Sequence, residues 1–143
     1  MKFLSASILS PFTPYLLTLS AFTILIAATG ASIAMTALEK EQLEKLDPAT
    51  RLEQRCDVEA MERISHEQKK FSVDKVLAYA FSDPVAEKNS IRADGAAFRS
   101  NDHWYKLAFV CKTDNEHINI YSFHYKIGEE VPESEWANHY LVP

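Results

Sequence analysis

RLEQRCDVEAMERI, residues 51–64, reads at first as a charged helix carrying a stray thiol. Its spacing decides otherwise. Leu52, Cys56, Ala60 and Ile64 recur every four residues, with Met61 beside them. That interval lays one slowly drifting apolar stripe along a helix, the side that packs against a core. Arg51, Arg55, Glu59, Glu62 and Arg63 fall on the flanks and back, the sides a helix presents to water. The cysteine therefore belongs to the buried stripe. Just upstream, Asp47-Pro48 supplies a good N-cap followed by a residue well tolerated in the first turn, so the helix is predicted to begin there.

Downstream of His66–Lys70 the period falls from four to two. KVLAYAFSD, residues 75–83, sets Leu77, Tyr79 and Phe81 against Val76, Ala78 and Ala80, and predicts a strand ended by Asp83-Pro84. IRADGAAFRS, residues 91–100, is a second strand in which Gly95 marks a bulge or a close approach of backbone. HWYKLAFVCKT, residues 103–113, puts Tyr105, Leu107, Phe109 and Cys111 on one face and points Lys106 and Lys112 away. INIYSFHYKIG, residues 118–128, alternates Tyr121, Phe123, Tyr125 and Ile127 against Ser122, His124 and Lys126. The tail PESEWANHY is a short helix or turn anchored by Trp136. One main helix followed by about four antiparallel strands makes an α+β domain of two layers, with the helix laid across one face of the sheet.

Upstream of the domain, the first charge after Lys2 is Glu39, and residues 15–34 (YLLTLSAFTILIAATGASIA) are mostly apolar. A spanning helix takes about 20 such residues and the apolar part of a signal peptide about 7–15, so residues 1–37 read as a signal peptide or a membrane anchor. Small residues crowd the end of the run, as cleavage requires, while its length suits an anchor. Either way Lys2 stays in the cytoplasm and the rest is exported. Residues 38–46 form a polar connector, and 47–143 the exported α+β domain, either periplasmic or held at the inner membrane facing the periplasm, with secretion as a further outcome.

Lys2 is the one basic residue ahead of the connector, so the exported part keeps 14 of the 15 basic residues and all 20 acidic ones, a formal charge of −6. No basic cluster interrupts it, which disfavours nucleic acid as a partner and leaves the N-terminal segment as the only contact with membrane. Cys56 and Cys111 are too far apart for a redox pair and too few for a zinc site. In an oxidising compartment two lone cysteines form one disulfide, here pinning helix to strand across 55 residues and contributing about 4 kcal/mol on chain-entropy grounds.

DPATRLEQRCDVEAMERI, KVLAYAFSDP, GAAFRS followed two residues later by HWYKLAFVCKT, and SFHYKIGEEVPESEW occur in an order that resembles a bacterial family, seen in alphaproteobacteria, of domains of unknown function numbered 930. The resemblance runs from Leu46 to Val142. It implies an exported or membrane-anchored protein and brings no activity and no catalytic residue with it.

Chemistry-bearing patterns are sparse. His66, His103, His117, His124 and His139 stand at no metal-ligand spacing. Glu62 and His66 are four apart on the helix but have no local nucleophile to serve. Ser100 and Ser122 lie in no nucleophile elbow, and three glycines leave no phosphate-cradling loop. No metal and no cofactor is called for. The candidate binding surface is Phe98, Arg99, His103 and Trp104, on the reading that Trp104 lies on the sheet face away from the helix. The sequence thus points to a non-enzymatic, disulfide-stapled interaction module of the cell envelope that binds an envelope or host protein. A small-molecule or peptide-binding periplasmic domain is the alternative, and an enzyme the third reading.

Overall fold

The Asp47 carboxylate accepts hydrogen bonds from the backbone N–H groups of Ala49 and Thr50 at 3.1 and 3.2 Å, and Pro48 opens the helix. The computed structural model of the chain describes residues 35–143. The expected signal or anchor segment lies almost wholly outside them; among the described residues no helix is long and apolar enough to cross a membrane. Two helices lead the described part: α1, Ala37–Glu44, and α2, Pro48–Glu67. Helix α1 takes up most of the expected connector and starts at a capping box between Thr36 and Glu39.

Arg51 joins the two helices. Its guanidinium donates to the carbonyls of Leu43, Glu44 and Leu46 at and just past the end of α1, and also to the Glu116 carbonyl. A side chain expected only to face water instead ties three chain segments together.

Five antiparallel strands follow: β1 Val73–Leu77, β2 Val85–Glu87, β3 Ser90–Ser100, β4 His103–Thr113 and β5 Ile120–Glu130. Their order is β1-β3-β4-β5, with β2 also pairing β3. Strands β1 and β2 share one edge of β3, at opposite ends of it. β5 closes the other side of the sheet. Asn101 and Asp102 have φ of 51° and 63°, the left-handed pair that a two-residue hairpin between β3 and β4 requires.

The strand expected over residues 75–83 stops at Leu77. Its partner β3 is bulged between Ala93 and Ala96, and there the chain turns over Gly95. Phe81 N–H donates to the Gly95 carbonyl at 2.7 Å, and a Cβ on Gly95 would collide with Ser82. The close approach read from the sequence is this crossing. Ala80 and Phe81, at this crossing, pack in a second cluster with Trp104 and Trp136.

Helix α2 lies on one face of the sheet, as expected. Leu52, Cys56, Ala60 and Ile64 pack with Phe71, Phe98, Leu107, Phe109, Cys111 and Phe123 in the main core. Cys56 and Cys111 are bonded to each other, with Cα atoms 6.0 Å apart. Tyr121 departs from its expected place: a register shift where β5 meets the end of β4 leaves it 74 % exposed, and Ile120 packs inward instead. A second, smaller core covers part of the opposite face. There the tail, with its short helix α3 (Glu133–Trp136), sets Trp136, Val131 and Leu141 over Trp104 and Ala97. The two indoles are held through Trp104 Nε1 to the Val142 carbonyl and Trp136 Nε1 to the Val131 carbonyl, each at 2.9 Å.

Candidate functional site

Helix α2 runs over the sheet so that one of its flanks overlooks β5. Arg55, Glu59, Arg63 and Glu67, each four residues from the last, stand along that flank. Spacing of i,i+4 makes them neighbours of alternating sign. Arg55 Nη2 lies 3.0 Å from Glu59, Arg63 Nε 2.8 Å from the other Glu59 oxygen, and Arg63 Nη1 3.4 Å from Glu67.

The inner pair is buried, Arg55 and Glu59 side chains keeping 7 % and 10 % of their exposure. Arg55 is further fixed by Nε donating to the Ile118 carbonyl at 3.0 Å, ahead of β5. The bond from Glu59 raises the pKa of Arg63 above its ordinary value. At the open end, the Tyr125 hydroxyl donates to Glu67 at 2.8 Å and accepts from Gln68 at 3.4 Å. Burial, with the Glu67 contact adding to it, pushes the Tyr125 phenol up, so it stays a donor at neutral pH.

Between this ladder and β5 lies an open groove of about 640 Å³. Its apolar lining comes from Phe71, Phe123 and Ile127, and its polar rim from Arg63, Lys70 and Glu67. Lys70 Nζ stands 4.7 Å from the centre of the Phe71 ring, a cation held on an aromatic face. The groove opens along β5, which among the described residues pairs with β4 on one side only. A strand in that position points every second backbone N–H and C=O away from its neighbour. The site thus offers an eleven-residue hydrogen-bonding edge beside an aromatic trough.

The candidate surface named from the sequence does not assemble. Trp104 does face away from the helix, but the tail buries it completely, while Phe98 is equally buried in the main core on the other face. Arg99 is engaged with Asp74 through two bonds of 2.9 and 3.1 Å, and His103 with Glu130 at 2.8 Å. What the sequence reading lacked was cover for Trp104. A tail reduced to one anchoring tryptophan gives no sign of lying across the sheet. The groove left a signal, the four-residue ladder on α2, but only the packing shows that the ladder faces a sheet edge rather than water.

The flanks of α2 hold a second departure. Asp57, on the other border of the apolar stripe, is 7 % exposed and one of its carboxylate oxygens has no hydrogen-bond partner among the described residues. Burial, with Glu53 adding a like charge, pushes its pKa well up. Among the described residues no three His, Cys, Asp or Glu side chains gather as a metal site.

A family model described as Domain of Unknown Function (DUF930) matches residues 43–141. The chain belongs to the DUF930 family. No curated protein and no solved structure matches it. The DUF930 match takes in α2, all five strands and both bonded cysteines, and so contains both walls of the groove.

Proposed function

We propose that this DUF930 protein is an exported, non-enzymatic module of the cell envelope that binds an extended segment of another envelope or host protein along β5. The observation that carries the reading is the eleven-residue edge of β5, unpaired among the described residues, beside the groove under α2. Strand addition to such an edge gives affinity through main-chain hydrogen bonds and specificity through alternate side chains dropping into a groove. Export is supported by the apolar run at residues 15–34 and by a domain stapled by its only two cysteines.

A small-molecule ligand is the second reading, since about 640 Å³ falls within the usual range for such sites. The long open side of the groove favours an extended occupant over a compact one. Against an enzyme stands the prior engagement of the reactive groups nearby. Glu67 already accepts from Tyr125, and the Ser65 hydroxyl accepts from Val73 N–H.

Photo-crosslinking in intact cells tests the reading. A benzophenone side chain at Tyr121 or Lys126 on β5 should trap a discrete partner, whereas one at Val85, on the opposite side of the sheet, should not. Equal yields at both places would refute capture at β5. A C-terminal alkaline phosphatase fusion should be active, and an inactive fusion would refute export.

A further inference from the structure

The chemistry of the captured segment follows from the two faces of β5, an inference that rests on the strand capture proposed above. Phe123, Tyr125 and Ile127 face α2, packed in or against the main core. His124 and Lys126 alternate with them and are exposed, His124 also bordering the groove at the strand edge. Their neighbours on β4 are Val110 and Ala108, which offer them no carboxylate. The acids farther along β5 are spoken for, Glu129 by Lys106 and Glu130 by His103, each at 2.8 Å.

A strand added outside β5 alternates its side chains between the same two faces. Those on the α2 side meet Phe123, Tyr125 and Ile127 and the groove beneath Arg63 and Lys70. Those on the far side stand directly across from His124 and Lys126, where opposite charge stabilises and like charge repels. A second copy of β5 is a poor occupant, because it would bring its own lysine and histidine to that side.

We infer that the segment captured by β5 alternates apolar side chains with carboxylates, the apolar groups on Phe123, Tyr125 and Ile127 and the carboxylates beside His124 and Lys126. The partner is a protein with an extended acidic–apolar stretch. Overall the chain is acidic, so this local basic border selects among partners by charge rather than attracting anions in general.

End-blocked nine-residue peptides, titrated into the full-length protein with fluorescence anisotropy as readout, test the inference. The probes are a Val/Glu alternating peptide, its Val/Lys counterpart, and a Val/Glu version N-methylated at alternate amides. The Val/Glu peptide should bind about tenfold or more tightly than Val/Lys at low salt, and added salt should narrow the gap. Lys126→Glu, an exposed change with no packing to lose, should erase or reverse the preference while leaving the thermal midpoint in place. N-methylation should abolish binding, and the unmethylated peptide should slow hydrogen exchange along β5. Equal binding of the Glu and Lys peptides, or a preference for Lys, overturns the charge rule but leaves strand capture standing. No binding by any peptide, with no protection of β5, overturns strand capture and the charge rule together.

Discussion

Reducing the Cys56–Cys111 bond should cost this domain a large part of its stability, and the cost should arise in the unfolded chain. The bond joins the middle of α2 to the end of β4 across 55 residues. Closing a loop of that length removes chain entropy equivalent to about 4 kcal/mol at 25 °C. Both cysteines are fully buried in the main core, where free thiols pack as small apolar groups, so reduction itself opens no cavity. For a domain of this size each kcal/mol moves the melting temperature by about 4–8 °C, which places the expected fall at about 15–30 °C. The assay is a thermal melt and a urea titration of the oxidised protein beside protein cycled once through unfolding in reductant, with the two-proton mass change confirming reduction. If the entropy argument holds, the reduced chain also shows a steeper urea dependence, because its unfolded state is more expanded. A fall in Tm below about 5 °C, with an unchanged urea slope, would refute the reasoning.

Four further outcomes test other parts of the structure. Glu59→Gln leaves Arg55 buried without its counter-charge and should destabilise by about 3–5 kcal/mol in urea titration, whereas joint replacement of Arg55 and Glu59 by Met and Leu should cost far less. Asp57→Asn should raise the urea midpoint at neutral pH. A carboxyl whose pKa is raised on folding carries a penalty that grows as pH climbs from the ordinary value of 3.8 through the folded-state pKa, so the gain should vanish near about pH 4. His117 bridges α2 and the β2–β3 turn through contacts of 2.8 and 2.9 Å to the Pro48 and Lys88 carbonyls; His117→Phe should cost about 1–3 kcal/mol and speed hydrogen exchange at the start of α2. Gly95→Ala forces the chain at Phe81–Ser82 off the sheet and should cost about 1–3 kcal/mol by thermal melt, with Ser82→Gly recovering little because backbone atoms also block the space.

The parts of this fold that were legible in the sequence are those set by local period. A four-residue apolar stripe and an Asp-Pro cap define α2; two-residue alternation defines β4 and most of β5; together these put the two cysteines on facing surfaces. Period is silent about what lies across from a surface. Residues 75–83 alternate like a strand throughout, yet β1 ends at Leu77, ahead of the crossing at which Phe81 meets Gly95 in the bulged part of β3. Tyr121 alternates correctly and is still exposed, because one residue of register slips where β5 meets the end of β4. Trp104 does lie on the face away from the helix, the condition on which the candidate surface rested, but Trp136 alone gives no sign of the tail that buries it.

The same limit keeps the groove out of the sequence pattern, while the packing explains why its charges are where they are. Arg55, Glu59 and Arg63 look like the solvated side of an amphipathic helix, and on a helix packed centrally over a sheet they would be. Here α2 is fixed by the Cys56–Cys111 bond to β4, one strand in from the edge. The flank of the helix therefore reaches out toward β5, whose outer edge meets no strand among the described residues. Buried charges are costly, and Arg55 and Glu59 are tolerated because each has a counter-charge and Arg55 also donates to the Ile118 carbonyl. Glu59, paired with Arg55, in turn holds Arg63 on the rim of the groove. A rim held in place before anything enters loses less entropy on binding than one assembled by its ligand. The thiol in RLEQRCDVEAMERI and the charges around it thus serve one geometry: the bond fixes where α2 lies, and the ladder fixes what its flank presents to the free strand.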